Sequence, residues 1–147
     1  MIPYRHVQPG WLIRVALGIP LVAAALTGFA TQPEVLLAAV ALVVALLLFH
    51  SLSVEVSHDD ITVAFGIGVI RRTIPLARVA SCAVVQTPWY YGWGIRYVFK
   101  GWMWNVSGFH SVELTYTDGG HFRIGTDQPE ALAAAIEAAR ASCAAAA

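Results

Sequence analysis

The sequence predicts a membrane α-hairpin followed by an α+β or all-β domain, an antiparallel barrel of six or seven strands closed by a C-terminal helix. Three observations predict it. Two apolar stretches, residues 11–30 and 35–52, are separated by only four residues; the periodicity then changes from helical to two; and the chain ends in a legible amphipathic helix. The composition leans the same way, with 58% hydrophobic and 12% charged residues, where an ordinary globular chain carries about 25% charged.

Residues 1–10 form a short N-terminal segment, expected on the cytoplasmic side. Residues 11–30 (WLIRVALGIPLVAAALTGFA) and 35–52 (VLLAAVALVVALLLFHSL) are each close to the roughly 20 apolar residues that cross a hydrocarbon core about 30 Å thick. A four-residue connection allows only a tight hairpin. Arg5 and Arg14 lie at its start, while residues 31–34 carry no Lys or Arg, so both termini are expected inside. Trp11 suits an interfacial anchor, and Arg14 lies where its stem can snorkel. Gly28-Phe29-Ala30 also fits a signal-peptide cleavage site, but Pro20 and the span that follows at once count against it. Gly18, Ala24 and Ala25 on the first stretch, with Ala38, Ala39 and Ala41 on the second, permit close helix contact within the hairpin or between copies. The predicted location is a multi-pass protein of the bacterial inner membrane, its domain in the cytoplasm.

Residues 53–147 make one domain. Leu52, Val54 and Val56 alternate with polar residues as a half-buried strand, and His58-Asp59-Asp60 makes a turn. Ile61, Val63 and Phe65 form the return strand, and Gly66-Ile67-Gly68 turns the chain into 69–74, which Pro75 stops. Residues 78–86 are rich in β-branched side chains. Residues 109–117 and 121–125 form a hairpin about Asp118-Gly119-Gly120. A helix is expected over about 128–142, with Asp127 as cap, Pro129 in the first turn, Glu130 as capping-box partner, and Leu132, Ala135, Ile136 and Ala139 as its apolar stripe. Six or seven short strands and one closing helix are the plan of a pleckstrin-homology-like barrel.

The order of the two-helix stretch, LSVEVSHDDITVAFGIGVIRRTIPL, TPWYYGWGIRY, NVSG and IGTDQPEAL resembles that of small bacterial membrane proteins with a pleckstrin-homology-like domain. The resemblance implies that fold and membrane attachment, and it brings no catalytic residues. Phosphoinositide readers of this fold use a basic first hairpin loop. Here that loop is His58-Asp59-Asp60, so their ligand does not transfer.

Residues 88–105 (PWYYGWGIRYVFKGWMWN) hold four of the chain's five tryptophans. Trp89, Tyr90, Tyr91, Trp93, Arg96, Lys100, Trp102 and Trp104 are the candidate contact residues for a membrane or a partner. Tryptophan and tyrosine favour the headgroup layer, and Arg or Lys beside them meets phosphate. Two other readings stand beside this one: rings that fill the core, and a recognition surface for a protein.

Other chemistry has little support. His110, His121 and Asp118 offer three metal-ligand types without a fourth, and Cys82 and Cys143 fit no metal or CxxC spacing, so no metal or cofactor is expected. Ser107 and Ser111 near His110 lack any nucleophile motif, and Gly66-Ile67-Gly68 opens no helix, so it cradles no phosphate. Nine Lys and Arg balance nine Asp and Glu, which excludes a nucleic-acid partner. The expected role is non-enzymatic, a module binding lipid or a protein partner at the inner face of the membrane. The expected partners are the lipid bilayer, a membrane protein or a second copy. The alternative is a structural subunit of a membrane complex, its aromatic segment buried against transmembrane helices.

Overall fold

Strands β1 (Tyr4–Pro9) and β2 (Ser51–Val56) pair antiparallel from Pro9↔Ser51 to Tyr4↔Val56, although two helices lie between them in the chain. That inserted pair is α1 (Trp11–Leu26) and α2 (Pro33–Phe49). The structure, a computed structural model, describes residues 4–27, 32–98 and 101–146. Strands β3 (Asp60–Phe65) and β4 (Ile70–Pro75) complete a sheet of order β1-β2-β3-β4. A second sheet, of order β5-β8-β9-β7-β6, is built from β5 (Val79–Gln86), β6 (Gly94–Val98), β7 (Gly101–Asn105), β8 (His110–Tyr116) and β9 (His121–Gly125). The last element, α3 (Pro129–Ala146), packs on β5, β8 and β2.

Two expectations are overturned. The closed barrel is replaced by two open sheets of four and five strands, and β7 and β9 run parallel within the second. The parallel pair arises because β9 enters between β8 and β7, so the edge hairpin β6–β7 is joined to the sheet by a strand of its own direction. The membrane-crossing hairpin fails as well: among the described residues no helix is long and apolar enough to cross a membrane. Helix α1 has 16 residues and α2 has 17, lengths of about 24 and 26 Å against a core of about 30 Å. Thr27 closes α1, its amide and hydroxyl both bonding Ala23 O. Ser51 and Leu52, counted into the second span, are instead the first residues of β2, with Leu52 wholly buried. The multi-pass placement in a bacterial inner membrane falls with the spans.

Strands β2, β3 and β8 lie where alternation placed them, because their apolar residues share one buried face, and β4, β5 and β9 fall within a residue of the expected ranges. Strand β1, read as a plain N-terminal segment, is an addition. Its inward residue is Gln8, whose side-chain amide donates to Ser107 O at 2.9 Å. Helix α3 starts one residue later than its acidic neighbour suggested. Thr126 Oγ1 accepts from Gln128 N at 3.1 Å, while Asp127 turns away to His6 Nε2 at 2.6 Å.

The core lies between the sheets and is sealed by Leu132, Ile136 and Ala139 of α3. Its centre is a run of rings. Phe49 at the end of α2 meets Phe65 of β3 (5.2 Å), Phe65 meets Trp104 of β7 (5.1 Å), and Trp104 meets Phe122 of β9 (5.8 Å). Helix base and both sheets are thereby packed into one core. Gly66, at φ +50°, turns β3 toward β4 directly beneath α2, where a side chain would overlap the carbonyls of Leu47 and Leu48.

Burial ranks the tryptophans of the aromatic segment by their structural weight. Trp104→Ala is expected to cost about 3–5 kcal/mol in denaturant unfolding, because it is 7% exposed and contacts both sheets. Trp102→Ala, at 45% exposure, is expected to cost under about 1 kcal/mol in the same experiment.

Candidate functional site: an aromatic rim and an adjoining cleft

Consecutive strands β5 and β6 lie at opposite edges of the second sheet, so the connection between them must pass β8, β9 and β7. Residues 87–93 are that strap. Thr87 N bonds Phe109 O (2.7 Å) at one side, and Trp93 Nε1 donates to Gly108 O (3.3 Å) further along. Its middle is a 3-10 turn over Trp89–Tyr91. Tyr91 lies with its ring 5.9 Å from the Arg123 guanidinium, on the outward face of the sheet, where Arg123 pairs with Glu113 at 2.5 Å.

The strap crosses at the end of the sheets from which the helices project. Gly10 N bonds His50 O (2.8 Å), joining the helix bases, and Ser107 Oγ donates to Pro9 O (3.1 Å) just beneath them. Gly66, under α2, places the β3–β4 turn there too. Ringing this end are Trp11, Ile67, Val69, Trp89, Tyr90 and Phe109, all exposed. At the opposite end the turns are polar, with His58 and Asp59 on one and Asp118, paired to Arg78 at 3.4 Å, on another. The Gly120 amide and then Arg78 hold the Asp118 carboxyl below its usual range. The molecule is thus polarised from an apolar rim to a polar end.

Above the rim, α1 and α2 pack on each other and little else. Among their described residues only Ala39 is buried. Val15, Ile19, Val22 and Leu26 on α1, and Leu37, Val40 and Leu47 on α2, are half or more exposed. An apolar groove of about 500 Å³ runs along the outside of α1 past Gly18, so that glycine serves no contact with α2.

The candidate contact residues separate into different environments. Trp89 (75% exposed) and Tyr90 (66%) belong to the rim. Trp93 is half-buried against Phe109, and Trp104 is core. Trp102 meets Tyr97 edge to face (5.4 Å), away from the rim near the β6–β7 turn. Lys100 lies outside the described residues. Arg96 lines a cleft of about 430 Å³ together with Tyr90, Tyr91, Tyr97 and Val98. Sequence reasoning did not place Ile67, Val69 or Phe109 in a site. An apolar pair in a glycine turn, Ile67 and Val69 about Gly68, was the signal available.

The histidines considered for metal are apart. His110 begins β8 beside the rim, whereas His121 begins β9 at the polar end, 3.5 Å from Glu113. Among the described residues no group of three His, Cys, Asp or Glu could hold a metal ion. Ser107 and Ser111 are buried in structural hydrogen bonds, to Pro9 O and to Thr87 Oγ1 (2.6 Å). Cys82 points at α3, with Sγ 3.2 Å from Glu137 Oε1, and burial followed by that carboxylate pushes its thiol up to about 12. Compared with known protein families and with curated proteins, the chain matches none, so the resemblance drawn from its motifs rests on those motifs alone.

With Cys143 replaced by alanine, Cys82 is expected to alkylate at pH 8 at least about tenfold more slowly than an ordinary thiol, since only thiolate reacts. The folded state keeps this proton when the unfolded state has lost it. The stability it confers is therefore full below the ordinary thiol pKa of about 8.5 and declines as pH rises toward about 12. Cys82→Ala should flatten that decline in unfolding measured across pH 8–11.

Proposed function

We propose that this chain is a non-enzymatic binding module working at a lipid surface. The helices α1 and α2 are clothed by the apolar layer of a bilayer that they enter without crossing, and the aromatic rim sits among the headgroups. The observation that carries the reading is a coincidence: exposed apolar helices and exposed Trp11, Trp89, Tyr90 and Phe109 occupy the same end of the molecule. Burying apolar side chains is worth roughly 25 cal/mol per Å², and tryptophan and tyrosine settle where apolar and polar media meet. Lipid is favoured over a protein groove because a groove covers one stripe of a helix. On α2 the exposed Leu36, Leu37, Val40, Val43, Val44 and Leu47 leave no polar face. At the helix base Arg14 Nε donates to His50 O at 3.2 Å, so its charge lies at the rim. The domain held there would present its outward sheet face to further ligands.

The test is flotation of the full chain, exchanged from detergent into neutral phosphatidylcholine vesicles. The wild-type chain is expected to float with the vesicles. A variant carrying Ile19→Asp and Leu37→Asp, both at exposed positions, is expected to lose at least about tenfold of that partition while keeping its circular dichroism. A wild-type chain that stays below the vesicles as a defined oligomer in sedimentation velocity would sink the proposal. The helices would then be covered by copies of themselves, along the groove at Gly18.

A further inference from the structure

The cleft beside the rim has the features of an oxyanion site. It follows β6 away from Tyr90, one of the rim residues, and Arg96, itself exposed, lines it. Arg96 Nε donates to Trp93 O at 3.4 Å, and the guanidinium lies flat over Gly92, whose φ is +70°. A side chain at Gly92 would begin 3.4–3.5 Å from Nη2, Cζ and Nε, so the glycine is the bed on which the plane rests. One edge of the group is thus hydrogen-bonded and one face lies by Gly92. Among the described residues Arg96 is in no ion pair, whereas Arg78, Arg123 and Arg140 each pair with a carboxylate.

The walls suit an anion next to an apolar body. Tyr90, Tyr91 and Tyr97 bring rings and phenol groups, Val98 closes one end, and none of the described lining residues carries a negative charge. Edge-to-face contacts of Tyr90 with Tyr91 (5.0 Å) and of Tyr97 with Trp102 (5.4 Å) hold the rings in place. A planar guanidinium lining such a space matches the geometry of a phosphate. Beyond Tyr91, Arg123 is already balanced by Glu113, so among the described lining residues Arg96 carries the charge.

We propose that this cleft binds the phosphate of an anionic phospholipid headgroup, gripped by the Arg96 fork between the tyrosines, while the rim rests on the same surface. The proposal rests on the lipid-surface reading for its source of phosphate. A free phosphate ester shares the chemistry, and the experiment separates the two. The acidic turn at Asp59 and Asp60 belongs to the other sheet and is not among the described residues lining the cleft.

Flotation of the full chain is measured with phosphatidylcholine vesicles, then with vesicles containing one third phosphatidylglycerol. The wild-type chain is expected to partition about tenfold better into the anionic vesicles, the worth of a hydrogen-bonded charge. Arg96→Gln should lose that increment and still float with phosphatidylcholine. Arg96→Lys, which keeps the charge without the fork, should lose most of it. An increment absent from the wild-type chain, or kept in full by either variant, overturns the proposal. If the wild-type chain floats with neither vesicle, the lipid-surface reading fails by itself. The cleft is then judged by titrating glycerol 1-phosphate against intrinsic fluorescence. Saturable quenching that Arg96→Gln abolishes assigns the cleft to a free phosphate ester, and no saturation in the wild-type chain overturns it.

Discussion

Trp104 is the contact on which the rest of the fold depends. Its ring touches Phe65 of one sheet and Phe122 of the other, and Phe65 passes the contact to Phe49 at the foot of α2. Two open sheets have no ladder of hydrogen bonds joining them, so their relative position rests on packing. Rings do this well, since one side chain spans much of the roughly 10 Å between packed sheets. Arg72 adds a cation over Phe122 at 4.9 Å, covering the far end of the run. The same packing fixes the direction in which the helices leave the domain, because Phe49 is the last residue of α2.

A second constraint follows from strand order. Placing β5 and β6 at opposite edges forces a connection across the sheet, and the residues on it must both cover the sheet and face outward. That double duty accounts for the mixture in the aromatic segment. Trp93 is tied down at Gly108 O, Tyr91 rests by Arg123, and Trp89 and Tyr90 are left in the open. Composition alone treated the segment as one unit, either core or contact surface. Topology divides it into core, strap, rim and cleft.

Much of the β structure was legible because its cause is local. Val54, Val56, Ile61, Val63 and Phe65 alternate in the chain and are all buried in the fold. The missing strands failed that test for specific reasons. Strand β1 turns Gln8 inward, and its partner Ser107 lies at the far side of the sequence, invisible to any local pattern. Strands β6 and β7 show no alternation, since Ile95, Arg96 and Tyr97 are exposed in a row and Met103, Trp104 and Asn105 are buried in a row, and glycines at 92, 94 and 101 read as loop. The helix lengths were overestimated because apolar residues do not announce where a helix stops. Leu52 is as apolar as the helix residues before it, yet it belongs with Ser51 to a strand. Of the candidate site, the aromatic residue types were legible and their separation was not, since separation depends on which edge each strand takes.

The insertion of α1 and α2 between paired strands has a mechanical consequence. A load on the helices enters the domain at Pro9 and Ser51, the rung nearest them, and acts across the β1–β2 ladder. Such a pull opens a ladder one rung at a time, the weak geometry for resisting force, rather than shearing all its bonds together. Strand β1 is an edge, so nothing on its other side shares the strain within the sheet. What opposes peeling lies across the domain: Gln8 held by Ser107, and His6 held by Asp127 at 2.6 Å. These two side chains, spaced along an otherwise unguarded strand, act as stitches that stop a tear.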